Sequence, residues 1–125
     1  MNDKIIWKFP HAIVNCEWLA EKINNDNIRA YDCTTYLHYR DNDPSLPYVV
    51  ESGREQYEKS HIPNSSYIDL QSDLSDKDSP YRCTMPNLKI LSESFKKIGN
   101  GENFDIILYS RNGTQWSARI WWMLR

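Results

Sequence analysis

The 125-residue sequence predicts a three-layer α/β domain, a central parallel sheet flanked by helices. Three observations carry that expectation. Short apolar runs of strand length, Ile28–Asp32, Ser66–Asp69 and Ile106–Tyr109, recur along the chain. Between them lie segments whose apolar residues return at helical spacing. Strands that alternate with helices pair in parallel, because each crossover carries the chain back to the same end of the sheet.

The elements follow in order. Residues 1–13 mix aromatic and charged side chains around Pro10 and predict a mostly extended lead-in. Within it, Lys4–Phe9 alternates well enough for an edge strand. The domain itself is expected over 14–125. Asn15 is a good helix N-cap for Glu17–Ile23, and the polar run Asn24–Asn27 ends that helix. The strand Ile28–Asp32 comes next. Thr34–Ser52 holds Pro44, Pro47 and the polar run Arg40–Asp43, and reads as an irregular surface excursion. Gly53–Ser60 reads as a helix and Ser66–Asp69 as a strand. Leu70–Met85 is a second long loop, rich in Ser and Asp. Pro86 is placed to open a helix at its first turn, with Leu88, Leu91 and Phe95 as the apolar stripe. Gly99-Asn100-Gly101 supplies the stop. Ile106–Tyr109 is a buried strand, Ser110–Gln115 a polar loop, and an amphipathic helix runs from there to Arg125.

Composition narrows the partners. Hydrophobic residues at 40% and charged residues at 26% are ordinary for a globular domain. A net charge of −2 offers no basic face for nucleic acid or an anionic membrane. No apolar run reaches membrane-spanning length, and Met1–Lys8 is too polar for a secretion signal. Cys16, Cys33 and Cys83 are odd in number and widely spaced, which fits free thiols in a reducing, cytoplasmic setting and argues against a structural zinc site. The glycosylation-like triplets at Asn64 and Asn112 are read as chance. No cofactor is expected.

The stretch Gly53-Arg-Glu-Gln-Tyr-Glu-Lys-Ser-His-Ile-Pro-Asn-Ser-Ser-Tyr-Ile-Asp69 resembles the rhodanese signature, in which a helix ends in His-Ile-Pro-Gly-Ala and runs into a strand finishing in Asp. Asn15-Cys-Glu-Trp-Leu-Ala, Tyr31-Asp-Cys-Thr-Thr-Tyr-Leu, Ser79-Pro-Tyr before Met85-Pro86, and Ala118-Arg-Ile-Trp-Trp-Met-Leu-Arg125 extend the likeness. Together they resemble the N-terminal domain of tandem-domain thiosulfate and 3-mercaptopyruvate sulfurtransferases. The resemblance implies a sulfur-carrying cysteine loop on a second domain and a non-catalytic first domain; the alternative reading is a stand-alone pseudo-rhodanese that binds a protein or an anion and catalyses nothing. It also implies a last strand beyond Arg125. A sheet missing that strand is expected to self-associate or pair with a second rhodanese domain. In some mercaptopyruvate enzymes the resemblance places an Asp and a His where this sequence has Gln71 and Cys83.

The candidate site is the loop Ser110, Arg111, Asn112, Gly113, Thr114 and Gln115. A loop between a strand end and a helix start points backbone N–H groups into a cup, and the helix dipole favours an anion there. Ser110, Arg111, Gly113 and Thr114 are the anion-binding candidates, for a small anion. By the resemblance, Ser110 stands where the catalytic domains carry cysteine. A serine nucleophile needs a positioned base, and no His lies near it in sequence. No residue is therefore assigned a catalytic role, and none a metal. Cys83, in a polar loop beside Arg82, is the candidate reactive thiol, with Cys16 at a helix start as a lesser one. His61 is read as a turn residue and Arg119 as a locally paired structural arginine. Adjacent tryptophans on one helix point to different sides, so one of Trp121 and Trp122 is expected in the core and the other at a partner surface.

Overall fold

A computed structural model describes residues 8–125. Its centre is a parallel sheet of three strands: β1 (Ile28–Asp32), β4 (Ser65–Tyr67) and β5 (Asp105–Tyr109), in the order β4-β1-β5. β1 is the middle strand and is buried on both faces: Ile28, Ala30, Tyr31 and Asp32 are all covered. The register sets Asp32 beside Tyr109 on one side and Tyr67 on the other, so the three strands end together.

Side chains one residue apart on a strand face opposite ways. Tyr31 and Cys33 join Ile68, Leu70 and Leu74, Leu91 and Phe95 of helix α4 (Leu88–Ile98), and Ile120 and Met123 of helix α5 (Gln115–Met123) in one apolar cluster. Burying each large aliphatic side chain there contributes about 1.5–3 kcal/mol. The opposite face carries Ser65 and Tyr67, and helix α2 (Arg54–Lys59) packs on it. Its Tyr57 hydroxyl donates to the Ser65 carbonyl at 2.6 Å, and the Tyr57 ring lies 5.8 Å from that of Tyr67. Helices thus flank a central parallel sheet on both faces, the three-layer α/β arrangement expected.

Several elements fall where the sequence places them. Helix α1 (Cys16–Lys22) starts on Asn15, whose side chain accepts from Trp18 N–H. Helix α4 ends at Gly99, whose φ of 94° is open to glycine at little cost. Others differ. The supposed irregular excursion is an antiparallel hairpin of β2 (Thr35–Tyr39) and β3 (Tyr48–Ser52). Thr-Tyr-Leu-His-Tyr and Tyr-Val-Val-Glu-Ser are good strand sequences, and the prolines lie in the connection, where they cost no ladder bond. Pro86 does not open α4; Asn87 caps it, accepting from Ile90 N–H at 2.9 Å. One turn of the second loop is helical: α3 (Leu70–Asp73), capped by Asp69. Pro10–Ala12 form a 3-10 turn rather than extended chain. The edge-strand expectation for Lys4–Phe9 falls mostly outside the described residues, and Phe9 leads directly into that turn.

Neither Trp121 nor Trp122 reaches the core. The buried stripe of α5 is Ile120 and Met123, with Trp116 packed against it. Trp122 is 64% exposed, and Trp121 is covered in part by Arg125, stacked 4.7 Å from its ring centre. No helix among the described residues is long and apolar enough to cross a membrane.

Candidate functional site

The loop between β5 and α5 sits at the C-terminal ends of the parallel strands, the end where α/β sheets present ligands. Its chemistry begins at Asp32, the last residue of β1 and wholly buried. Asp-x-Thr favours a turn in which the carboxylate accepts bonds from the residue two further on. Here Asp32 Oδ1 accepts from Thr34 N–H at 2.9 Å and from the Thr34 hydroxyl at 2.5 Å. The Thr34 hydroxyl in turn accepts from Arg111 N–H at 3.0 Å. A loop amide that the cup would aim at an anion is thus already engaged.

The Arg111 side chain is committed as well. Its Nε stands 3.4 Å from Asp32 Oδ2, and its Nη2 donates to the carbonyl of Ser60. Ser60 is the C-cap of α2, so the guanidinium lies between a buried carboxylate and the negative end of a helix. A charge buried at Asp32 without a partner would be costly, and Arg111 is the cation that meets it. Asn112 ties the loop to the hairpin, its Nδ2 donating to the Thr35 carbonyl at 2.7 Å.

Ser110 turns inward. Its hydroxyl donates to the Gly113 carbonyl and lies 3.4 Å from the Ser117 hydroxyl. The Gly113 carbonyl therefore takes up the Ser110 hydroxyl. Gly113 has φ of 124°, a conformation other residues rarely adopt, and a Cβ there would meet Gln115. Thr114 precedes α5 without a side-chain cap. Among the described residues no histidine hydrogen-bonds Ser110; His61 bonds the Tyr57 carbonyl at 2.7 Å and stacks on the Tyr57 ring. Its role is to turn the end of α2.

Cys83 belongs to a second cluster. It holds φ of 56°, unusual for cysteine, and two groups fix it. Gln71 Oε1 accepts from Cys83 N–H at 2.8 Å and lies 3.5 Å from its sulfur; Arg119 Nη2 donates to its carbonyl at 2.9 Å. Gln71 and Cys83, set apart in sequence, are brought together. The expectation that Arg82 activates the thiol does not hold. Burial pushes the Cys83 thiol up and outweighs Arg119, with Asp69 adding to the rise and Arg82 the smallest influence. Cys33 is driven higher still by burial and by the Asp32 charge. Arg119 does not pair locally but reaches 36 residues back along the chain. Cys16 is exposed at the first position of α1. Among the described residues no group of His, Cys, Asp and Glu could hold a metal ion.

Sequence reasoning missed Asp32, Thr34 and Ser60 as the residues that hold the loop. The signal was present: a charged residue closing an apolar strand, two positions before a threonine. Two tyrosine hydroxyls complete the frame. Tyr67 accepts from Gly53 N–H and donates to the Thr34 carbonyl, each at 2.7 Å. Tyr109 accepts from Ile62 N–H at 3.2 Å and shares a bond with Ser65.

Comparisons with known proteins fit this geometry. The chain is 29% identical over 116 residues to the 3-mercaptopyruvate sulfurtransferase of Homo sapiens, covering 91% of this chain and 37% of that protein. It is 25% identical over 120 residues to the thiosulfate sulfurtransferase of Cricetulus griseus, with the same coverage. The crystal structure of SseA from Escherichia coli, described as a 3-mercaptopyruvate sulfotransferase, superposes with a TM-score of 0.70 at 25% identity, over 90% of this chain and 40% of that one. The chain thus spans little more than a third of the length of these curated relatives. The Rhodanese-like domain model matches residues 15–125, and the chain belongs to that family.

Proposed function

We propose that the chain serves as a non-catalytic rhodanese-type domain of a thiosulfate or 3-mercaptopyruvate sulfurtransferase. On this reading a second rhodanese domain is its partner and carries the cysteine whose persulfide passes the sulfane sulfur. This chain supplies scaffold and one wall of the cleft between them. The observation that carries the reading is the state of its own loop. Ser110 occupies the candidate nucleophile position, its hydroxyl is spent on the Gly113 carbonyl, and Arg111 is held by Asp32 and Ser60. The greater length of the sulfurtransferases it resembles supports a partner domain. Gln71 and Cys83, in place of the Asp and His that the resemblance implies, favour thiosulfate over mercaptopyruvate as donor. Three free cysteines suit a reducing, cytoplasmic setting.

The test is a thiosulfate:cyanide assay on the purified chain, with thiocyanate as readout. No turnover above buffer is expected, because an alcohol cannot replace a thiolate in sulfur transfer. Ser110→Cys is expected to regain little, since the Gly113 carbonyl repels a thiolate where amide donors are needed. Robust turnover by the unmodified chain would overturn the reading, and dependence of that turnover on Cys83 would locate the active thiol elsewhere.

A further inference from the structure

Two Asn-Gly pairs occur in the sequence, Asn100-Gly101 and Asn112-Gly113. Asparagine before glycine is prone to one intramolecular reaction, because glycine has no side chain to hinder attack by its own nitrogen. The fold treats the two pairs differently. Both side-chain polar atoms of Asn100 are buried and without a partner. Asn112 and Gly113 are exposed, and neither Gly113 N–H nor Asn112 Oδ1 has a partner among the described residues.

We propose that Asn112–Gly113 is a site of spontaneous deamidation, and that its conversion releases the loop from the hairpin. A base from solvent removes the Gly113 amide proton, and the nitrogen attacks Asn112 Cγ. The bond from Cγ to Nδ2 then breaks and ammonia leaves, giving a five-membered succinimide. Water adds to either ring carbonyl, yielding aspartate or isoaspartate. One water enters and one ammonia departs, and nothing is oxidised or reduced. The step builds negative charge on Oδ1. At Asn112 water can stabilise that charge; at Asn100 the oxygen is buried with no donor, so the same step is disfavoured.

The product undoes an anchor. Asn112 Nδ2 donates to the Thr35 carbonyl at 2.7 Å. A carboxylate oxygen there sets acceptor against acceptor. An isoaspartate also adds a carbon to the main chain, beside a glycine whose φ of 124° depends on the present loop path. Arg111 adjoins the site, so its hold on the Ser60 carbonyl loosens with it.

The experiment incubates the folded full chain in mildly alkaline buffer at physiological temperature, beside the same chain in denaturant. Peptide mass mapping reads amide-to-acid conversion, and isoaspartate methyltransferase labelling reads the isomer. In the folded protein conversion is expected at Asn112 and not at Asn100; in denaturant both convert. Asn112→Gln keeps the amide donor but forms the larger ring slowly, so its labelling at that position is lost. Asn112→Asp, the direct product, is expected to be cut faster by trypsin after Arg111. Native conversion of Asn100 at a rate equal to that of Asn112 would overturn the proposal, as would an inert Asn112 in the folded chain. Unchanged tryptic cleavage of Asn112→Asp would overturn the release of the loop.

Discussion

A single thiol shows how local surroundings decide chemistry. In sequence, Cys83 follows the logic of an activated cysteine, with Arg82 as the neighbouring cation that favours the thiolate. The neighbour in sequence is not the neighbour that counts. Cys83 is packed against the core cluster, and loss of water penalises the thiolate more than Arg119 and Arg82 favour it. Alkylation of Cys83 by iodoacetamide at neutral pH is therefore expected to lag well behind that of a free thiol compound, and to catch up only above the ordinary thiol value of 9.0. Mass spectrometry of the tryptic peptides separates Cys83 from exposed Cys16. Rapid labelling of Cys83 at neutral pH would show that the loop opens and wets the sulfur.

At the scale of elements, the helix ends are where local sequence and structure agree best. Asn15, Asp69 and Asn87 all cap as their side chains dictate, since capping needs only a short oxygen-bearing side chain and the three residues that follow. Asn87→Ala leaves the first turn of α4 without that acceptor. A loss of about 1 kcal/mol is expected, or a midpoint lower by about 4 °C for a chain of this length, read by thermal unfolding. An unchanged midpoint would mean that water caps α4 equally well. The β2–β3 hairpin was less legible. Its prolines mark the connection, but a short strand pair is recognised by its partner, and pairing across Tyr39 and Tyr48 is not written in either strand alone. Glycine at position 53 is explained only by the fold: a Cβ would lie 2.5 Å from the Thr34 carbonyl oxygen, a residue nineteen positions earlier.

Across the whole molecule, the order of strands and helices was legible because burial imposes a period on each. The three sheet strands, and four of the helices, lie within a few residues of where that period puts them. The state of the loop was not. Its length and position follow from the strand before it and the helix after it, whereas its hydrogen bonds depend on Asp32, Thr34, Thr35 and Ser60, which reach it only through the parallel sheet. Local pattern announces a cup for an anion; the folded chain has placed its own arginine and threonine against it.

The Arg111 contacts also set a timetable. They join residues 79 and 51 positions apart, so they close some of the longest loops in the chain. Contacts of such separation are entropically dear until both ends are already in place, and topology of this kind slows folding. The clamp joins ends that the β1–β5 pairing has already brought together, and it is expected to close at the last stage of folding, after β1 has found β4 and β5. Arg111→Ala removes hydrogen bonds from a charged donor and is expected to cost about 2 kcal/mol. With the clamp expected to close after the transition state, the loss is predicted to fall on unfolding, faster by roughly thirtyfold, with refolding almost unchanged. Stopped-flow kinetics in denaturant distinguishes this from slowed refolding, which would place the clamp in the nucleus. The loop between β5 and α5 would then act as a latch, governing how long the native state lasts rather than how quickly it is reached.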